Sequence, residues 1–250
     1  MKALILAAGQ GTRIRSLHGE HPKCLITFNN SDWTILDQQI HSIWLAGIND
    51  IAIVVGYEKD QIIRHIKMNY RPSLDRFTFI ENRRFAETNN ICSLWLARDR
   101  LKGSSFLCLN GDVVFDPAIL PPALCSTASI TMIVDPAWRE ETMKVVRAGH
   151  RVVRMGKQIT EEEFSATYIG LTVFHQRVVK EFLGRIDRLV RDGQKQIFFN
   201  VAVQQLADEG VEVGFTETGG LAWTEIDDPV DLAFARLYIF SKLAPAELAA

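Results

Sequence analysis

The chain has 250 residues, of which 47% are hydrophobic and 23% charged, as is typical of a globular protein with a sizeable core. A formal net charge of −2 excludes any strong overall attraction to nucleic acid or to an anionic membrane. The four cysteines, Cys24, Cys92, Cys108 and Cys125, are widely separated without a CxxC pair, which indicates neither a zinc site nor a disulfide framework.

The first half of the chain alternates predicted strands and helices. An apolar run from Ala3 to Leu6 predicts a buried strand, and a glycine-rich loop follows it. Apolar spacing and turn residues then predict a helix over 34–47, a strand over 50–55, a helix over 58–68, a strand over 77–80, a helix over 90–100 and a strand over 105–109. This alternation predicts an α/β fold with a Rossmann-like mixed, mostly parallel sheet and helices on both faces.

The second half is richer in strands with short connections. Strands are predicted over 128–134, 143–147, 152–155 and 168–174, with Gly149-His150 as a hairpin turn. Helices over 177–191 and 199–208, a strand over 211–215, an extended segment over 221–226 and a last helix follow. Because no linker, repeat or low-complexity segment interrupts the pattern, residues 1–250 are predicted to form one domain whose second half is a smaller β-rich part.

The sequence also predicts where the protein is found. No apolar run approaches the ~18 residues of a membrane-spanning helix. Met1-Lys2 leads directly into the first strand, which leaves no room for a signal peptide. We therefore expect a cytoplasmic protein with no membrane partner.

The loop after the first strand has the features of an anion site. Gly9 and Gly11 permit backbone geometry and close approach that a side chain would block. Successive loop N–H groups can form an anion-binding concavity, and Arg13 and Lys23 add two positive charges. The pattern predicts a triphosphate cradle at the carboxyl end of the strand, where ligands of such sheets bind.

The loop also has other interpretations. A glycine turn after a strand is common without any ligand. The loop is not a dinucleotide fingerprint, because Ile14 stands at the third glycine position of GxGxxG, and this disfavours a dehydrogenase. It is not a P-loop either, since GxxxxGK[ST] is absent from it.

The stretch LAAGQGTR from Leu6 to Arg13, followed by Pro22-Lys23, resembles the signature of the nucleotidyltransferase family that acts on sugar phosphates and phosphocholine. The family pattern is roughly LAAGxGTR near the N-terminus, a variable loop and PK. The chain departs from it at Ser16-Leu17-His18, where the family usually has Pro-Leu-Thr. The resemblance implies that the nucleotide is bound by Leu6, Ala7, Ala8, Gly9, Gly11, Thr12, Arg13, Lys23 and Gly111.

The same resemblance implies a reaction. A phosphate or phosphonate oxygen of an acceptor attacks the α-phosphorus of a nucleoside triphosphate, and pyrophosphate leaves. Positioning and charge neutralisation do most of the work. Lys23 would act near the α-phosphate, and Arg13 with the Gly11–Thr12 backbone would hold the β- and γ-phosphates, so Lys23 and Arg13 are the expected catalytic residues. Residues 1–125 would mainly bind the nucleotide, and residues 126–250 would mainly bind the acceptor.

Two aspartates follow predicted strands, Asp112 after FLCLNG and Asp227 after AWTEI. Each could be only a turn residue or a helix cap, and a cap is the interpretation for Asp228. A bound triphosphate usually brings Mg²⁺, which takes one or two carboxylates. Asp112 and Asp227 resemble the family's metal-binding positions, which implies that Mg²⁺ is the cofactor and that both aspartates hold it. The second half of the domain would thus supply one metal ligand, Asp227. Glu225 lies two residues before Asp227 and therefore points to the same side of an extended strand as Asp227. It would either assist the metal or face the acceptor.

Residues 81–97 resemble the segment that contacts the base in this family. Their version, with Thr88-Asn89-Asn90 and then SLWLA, resembles the cytidylyltransferase branch that acts on phosphocholine and related amino-alcohol phosphates or phosphonates. Asn82, Thr88, Asn89 and Ser93 can exchange hydrogen bonds with a pyrimidine edge. Thr88 and Asn89 can also cap the following helix, and both roles are expected together.

The acceptor remains open at this point. Its candidate binding residues are Asp135, Trp138, Tyr168 and Glu225, with Glu217 a further candidate for an amine and Phe198, Phe199 and Trp223 further aromatic candidates for a choline head. A primary amine would seek carboxylates, and a sugar or inositol phosphate, used with another NTP, would seek hydroxyl partners. The expected partners are CTP or another NTP and a small phosphate or phosphonate, but no nucleic acid. A homodimer is an open alternative. A non-catalytic nucleotide-binding regulatory module is disfavoured, because Arg13, Lys23 and both aspartates are retained.

Overall fold

The computed structural model describes residues 1–14, 19–28 and 32–239. The Ser16-Leu17-His18 departure from the family loop, and part of the segment between the first strand and the first helix, lie outside the described residues. No helix in the described ranges is long and apolar enough to cross a bilayer.

The strands and helices alternate through the first half of the chain and then give way to a run of strands. The strands are β1 (Lys2–Ala7), β2 (Ile51–Val55), β3 (Phe77–Glu81), β4 (Phe106–Asn110), β5 (Val113–Phe115), β6 (Ile130–Asp135), β7 (Lys144–Ala148), β8 (Arg151–Gly156), β9 (Ala166–Phe174), β10 (Val213–Glu217) and β11 (Trp223–Glu225). The helices are α1 (Ile35–Leu45), α2 (Lys59–Asn69), α3 (Asn90–Leu101), α4 (Leu120–Leu124), α5 (Gln176–Arg191), α6 (Asn200–Asp208) and α7 (Pro229–Phe234), which continues as a π-turn over Ala235–Ile239.

Nine strands form one mixed sheet in the order β3-β2-β1-β4-β9-β6-β10-β8-β7. Strands β3, β2, β1 and β4 run parallel, whereas β9 is antiparallel to both of its neighbours, β4 and β6. Strand β7 also pairs with β9, so the strands of the second half curl back on themselves like part of a barrel.

The prediction of a mostly parallel sheet is therefore wrong for the second half of the chain. In that half only β6 and β10 pair in parallel among the described strands. The reason is the length of the connections, because parallel neighbours need a crossover of about a dozen residues or more. The Gly149-His150 turn between β7 and β8 is far too short for that and produces the predicted hairpin.

Helices cover both faces of the sheet, as the alternation predicts. Successive residues of β1 point to opposite faces. Leu4 packs in one core cluster with Leu94 of α3 and Phe182 of α5, whereas Ile5 packs in a second cluster with Ile40 of α1. Because β1 and β4 are parallel neighbours, their carboxyl ends lie at the same end of the sheet, and the loops that follow these strands lie side by side.

Two short strands, β5 and β11, form a second sheet, of which the sequence predicted β11 as an extended segment but not β5 or the pairing. It is antiparallel, and it joins the strand after β4 to the strand before α7. Strands of three residues show no readable apolar period, which explains why β5 was not predicted. This small sheet connects the two halves of the chain at the site described next.

Candidate active site

The glycine loop packs directly against the turn that follows β4. The N–H of Gly111 donates to the carbonyl oxygen of Leu6 at 3.0 Å. A β-carbon on Gly111 would lie 2.7 Å from that oxygen, so the close approach requires glycine. Gly11 has a φ of 59°, the left-handed region that favours glycine. The two turns form one continuous wall.

A cavity of about 240 Å³, the phosphate cavity, opens beside this wall. It is lined by Leu6, Ala7, Gly9, Gly11, Thr12, Arg13, Ile14, Lys23, Cys24, Gly111, Asp112 and Asp227. A second cavity of about 290 Å³, the central cleft, shares six of these residues and extends toward β9 and α6. Together the two cavities expose the whole of the predicted nucleotide-binding set.

Three carboxylates meet where the two cavities join. The β5–β11 sheet brings them together, because Glu225 pairs with Val113 and the N–H of Ile226 donates to the carbonyl of Asp112 at 2.9 Å. One oxygen from each of Asp112, Glu225 and Asp227 lies within 4.8 Å of the others. Residues more than a hundred positions apart are thus held at one point by a short backbone ladder.

Two cations balance this acidic cluster. Nζ of Lys23 donates to Oδ2 of Asp112 at 2.8 Å and to Oδ1 of Asp227 at 2.9 Å. Nη2 of Arg13 donates to the same Asp227 oxygen at 2.9 Å. Burial by itself lowers the pKa of Lys23, but the charges and hydrogen bonds of Asp112 and Asp227 outweigh it, so the pKa lies above its ordinary value. Lys23 is therefore a fixed positive charge in the phosphate cavity.

Glu225 differs electrostatically from the other two acids. Its burial, followed by the negative charges of Asp112 and Asp227, raises its pKa to about 8. Lys23 and Lys157 act in the opposite direction but do not compensate. Glu225 therefore keeps its proton at neutral pH when no further cation is present, and Lys23 and Arg13 then balance the charges of Asp112 and Asp227.

The donor set suits a hard divalent cation. Carboxylate oxygens are the ligands such ions prefer. Oδ1 of Asp112 is buried and has no hydrogen-bond partner among the described residues, which is costly unless something fills that role. An added cation would neutralise the like charges and satisfy this oxygen.

Three of the four polar residues predicted to contact a base form a connected network on the wall of the central cleft. Nδ2 of Asn82 donates to Thr88 Oγ1 at 3.2 Å and to Ser93 Oγ at 3.1 Å, while its Oδ1 accepts from the N–H of Arg84 at 3.0 Å. Asn89 is the N-cap of α3, and its side chain accepts from the N–H of Asn90 at 2.7 Å. All four predicted side chains line the cleft.

The predicted acceptor residues divide into two groups. Tyr168 and Glu225 line the central cleft, although the Tyr168 hydroxyl is shared with Thr172 Oγ1 at 2.8 Å. Asp135 and Trp138 are absent from the described residues that line either cavity. The structure thus does not bring these two to the site.

The contacts of Asp135 and Trp138 explain this. Oδ2 of Asp135 accepts from Thr218 Oγ1 and from Trp223 Nε1, both at 2.7 Å, so the carboxylate anchors the segment before β11. The Trp138 ring packs edge-on against Phe164 at 5.0 Å, and its face covers the Lys144 ammonium at 4.6 Å. Both side chains organise the loop between β6 and β7.

The sequence model of the family described as Nucleotidyl transferase matches residues 2–216. The chain belongs to this family. Because the match contains the glycine loop, Lys23 and Asp112, the resemblance read from the N-terminal motif is confirmed, and the protein is a nucleotidyltransferase.

Relatives of this nucleotidyltransferase include several that are named as cytidylyltransferases. It is 26% identical to the CTP:phosphoglutamine cytidylyltransferase of Campylobacter jejuni, over 93% of this chain and 98% of the relative. It is 28% identical to the 2-aminoethylphosphonate cytidylyltransferase of Lancefieldella rimae, over 95% and 93% respectively. The inositol-1-phosphate CTP transferase of T. maritima shares the fold, with a TM-score of 0.79, 23% identity and coverage of 98% and 96%.

Several cleft residues of the nucleotidyltransferase were not among the predicted site residues. Lys157, just after β8, and Glu141, in the loop before β7, reach the central cleft only because β7 and β8 curl back toward β9. Asn200 also lines it, as does Phe198, one of the predicted aromatic candidates for a choline head, whereas Phe199 beside them is buried in the core. No local pattern marks Lys157 or Glu141, since their place depends on long-range strand pairing.

Proposed function

We propose that this nucleotidyltransferase is a Mg²⁺-dependent cytidylyltransferase that transfers CMP from CTP to a small phosphorylated or phosphonate acceptor. The observation that carries the proposal is the junction of the two cavities. There Lys23 and Arg13 adjoin three carboxylates, within reach of a polar base wall on one side and an acceptor cleft on the other.

The reaction needs no protein nucleophile. A phosphate or phosphonate oxygen of the acceptor forms a bond to the α-phosphorus of CTP, and the bond from that phosphorus to the bridging oxygen breaks, releasing pyrophosphate. Negative charge grows on the transferring group and on the leaving group, and fixed cations stabilise it. Lys23 neutralises charge at the α-phosphate, while Arg13 and the Gly11–Thr12 backbone hold the departing phosphates. Asp112 and Asp227, with Glu225 beside them, would hold Mg²⁺, and the ion would supply further charge neutralisation there.

The network around Asn82 supports a pyrimidine as the base. Asn82 is 3% exposed and is held on three sides by Thr88, Ser93 and the Arg84 backbone. A pre-ordered set of donors and acceptors discriminates bases because a mismatched edge leaves buried polar groups unpaired. The cytidylyltransferase names of the relatives agree with cytosine as that base.

The charges of the central cleft support an acceptor with an amine. Apart from Arg13, Asp112 and Asp227, which lie where it joins the phosphate cavity, its wall carries two acids, Glu141 and Glu225, and one cation, Lys157, whose ammonium lies 5.6 Å from the Phe198 ring centre. A phosphate or phosphonate placed by Lys157 leaves the carboxylates for an ammonium group. We therefore place 2-aminoethylphosphonate and phosphoethanolamine ahead of phosphocholine, because Trp138 and Trp223 are engaged elsewhere.

The test is pyrophosphate release by the purified chain with each of five triphosphates, CTP, UTP, TTP, ATP and GTP. Each NTP is paired in turn with 2-aminoethylphosphonate, phosphoethanolamine, phosphocholine, inositol 1-phosphate and glucose 1-phosphate, with Mg²⁺ present. CTP with an aminoalkyl acceptor should release pyrophosphate fastest, and the CMP-linked product should be visible by mass spectrometry. Asp112→Asn should abolish release, and Asp116→Asn, an aspartate that caps a turn outside the cavities, is the matched control.

Two results would contradict the proposal. Faster release with UTP, TTP, ATP or GTP than with CTP would remove the cytidylyl assignment. No release with any pair, despite measurable CTP binding, would instead favour the regulatory nucleotide-binding module.

A further inference from the structure

We propose that Gln39, in the middle of helix α1, is a positioning residue that holds the Asp112 turn in the geometry needed for metal binding. The proposal rests on the metal role given to Asp112 above. Gln39 touches neither cavity and belongs to none of the motifs of the sequence. Its side chain is completely buried.

The contacts of Gln39 select one short piece of backbone. Nε2 donates to the carbonyl oxygen of Asn110 at 2.8 Å and to that of Val113 at 2.8 Å. These two carbonyls flank the Gly111-Asp112 turn on either side. A primary amide has two N–H hydrogens, and both are used here. The amide therefore clamps the ends of the turn together.

The orientation of this amide is fixed by its partners. Turned the other way, Oε1 would face two carbonyl oxygens with no hydrogen between them. In the orientation observed, Oε1 is buried without a hydrogen-bond partner among the described residues. An unpaired buried acceptor costs free energy, so packing alone does not account for glutamine here. The donation to the turn is what the side chain provides.

The clamped turn is also tied at two further points. Gly111 donates to Leu6, and the carbonyl of Asp112 accepts from Ile226. These bonds join the turn to the phosphate cavity and to the strand of Glu225, and Gln39 secures it from the core. Mg²⁺ demands near-ideal octahedral geometry with short bonds of about 2.0–2.1 Å. A small shift of the turn would alter the spacing of the carboxylates and weaken the binding of the ion.

The neighbouring residue, Gln38, provides a matched control. It is also buried, its Nε2 also donates twice, and its Oε1 is also without a partner in the described part of the chain. Its acceptors are Ser42 Oγ at 2.8 Å and the Phe115 carbonyl at 2.6 Å, at the end of β5 farther from Asp112. Removing either amide should disturb the core to a similar degree, but only Gln39 acts on the turn.

The experiment compares Gln39→Met with Gln38→Met in the full chain. Urea unfolding measures stability, and titration with Mn²⁺ alone, followed by electron paramagnetic resonance, measures metal affinity. We expect similar losses of stability. Only Gln39→Met should weaken Mn²⁺ binding about tenfold, raise the Mg²⁺ concentration for half-maximal turnover by a similar factor, and lower kcat more than it changes KM for CTP.

Each outcome decides the matter. Wild-type Mn²⁺ affinity in Gln39→Met, or equal loss in both variants, overturns the positioning role. Absence of saturable Mn²⁺ binding in the wild-type chain overturns the metal role and this inference with it. Saturable binding without turnover of any substrate pair would contradict the proposed function alone. If Gln39→Met fails to fold, the pair Gln39→Asn and Gln38→Asn, which keeps the amide on a shorter stem, is compared by the same two measurements.

Discussion

The ammonium nitrogen of Lys23 lies 2.8 Å from Oδ2 of Asp112, and it bridges to Asp227 at 2.9 Å. The lysine side chain is 11% exposed, so this is a largely buried charge cluster. The same carboxylates are the ones proposed to hold Mg²⁺. Lys23 therefore has two opposed effects, because it stabilises the folded cluster and also competes with a cation for the same oxygens.

Lys23→Met should separate these two effects. Loss of the ammonium leaves the partly buried Asp112 without its cation and Asp227 with Arg13 alone, and the free energy of unfolding should fall by about 3 kcal/mol without metal. Mn²⁺ or Mg²⁺ should bind more tightly than to the wild-type chain and should restore much of that stability. Turnover should nevertheless fall by orders of magnitude, since the charge near the α-phosphate is gone. Calorimetry with the metal alone and the pyrophosphate assay measure these quantities.

Lys59→Met is the control for this prediction, because Lys59 pairs with Glu81 at 2.9 Å far more openly, with 36% of its side chain exposed. It should change stability little, as exposed ion pairs contribute about 0–1 kcal/mol. Weaker metal binding in Lys23→Met than in the wild-type chain would mean that the lysine organises the carboxylates rather than competing for them.

Asn82→Ala should relax the choice of base. The substitution removes the hub that links Thr88, Ser93 and the Arg84 backbone, and it leaves at least one buried donor or acceptor unpaired. We expect KM for CTP to rise by about tenfold or more and the preference for CTP over UTP to shrink. Asn69→Ala, which removes an exposed amide bonded to His65, should leave both unchanged. Unaltered CTP preference in Asn82→Ala would locate base discrimination elsewhere in the cleft.

The parts of the site that the sequence predicted are those carried by one continuous stretch. Gly9, Gly11 and Arg13 lie in a single loop, whereas Gly111 came from the family resemblance and its close approach to Leu6 is visible only in the structure. The meeting of Asp112 with Asp227 came from the family resemblance, because the three-residue strands that join them carry no period. The prediction for Asp135 failed for a different reason. An acid at a strand end can bind a substrate or accept a hydrogen bond from a neighbouring side chain, and here Trp223 Nε1 donates to its carboxylate.

The burial of some polar residues could not be predicted, because it too depends on contacts between parts of the chain that are distant in sequence. Gln38 and Gln39 interrupt the apolar pattern of α1 and would be assigned to its solvent face, yet both are buried. Only the three-dimensional position of the Asp112 turn supplies their acceptors. Apolar runs predicted the positions of most strands to within a few residues. They did not predict whether neighbouring strands of the second half run parallel or antiparallel, because that depends on loop lengths and on which strands pair.

Gly111→Ala should damage the site more than its size suggests. The new β-carbon would lie 2.7 Å from the Leu6 carbonyl and 3.1 Å from Cα of Ala7, which are backbone atoms that cannot move independently of β1. We expect lower stability and weaker CTP binding, measured by urea unfolding and calorimetry. Gly184→Ala is the matched control, because nothing lies within 4 Å of its β-carbon and it sits inside α5. There alanine should stabilise the helix by up to about 1 kcal/mol.

If Gly111→Ala binds CTP as tightly as Gly184→Ala does, the contact between the two turns is not needed for nucleotide binding. Loss of stability without loss of CTP affinity would give the same conclusion. Both variants should keep the far-ultraviolet circular dichroism of the wild-type chain, which checks that the sheet is intact.

Asp37 should make stability depend on pH at a point away from the cavities. It is 3% exposed and accepts hydrogen bonds from His65 at 2.8 Å, from the Tyr70 hydroxyl at 2.6 Å and from the backbone of Thr34 at 2.8 Å. Burial alone would raise its pKa, but these hydrogen bonds and the charge of His65 hold the pKa below its ordinary value.

Because the pKa of Asp37 is depressed in the folded state, its contribution to stability is present above the unfolded pKa of about 3.9 and is lost as the pH falls through the folded pKa. Asp37→Asn should therefore lower the free energy of unfolding by about 2 kcal/mol at neutral pH. The difference from the wild-type chain should shrink as the solution is made more acidic than the unfolded pKa. Urea unfolding across the acid range measures it, with Asp60→Asn, at an exposed position in the first turn of α2, as control. A difference that stays constant as the pH falls would show that Asp37 stabilises α1 through the geometry of its hydrogen bonds and not through its charge.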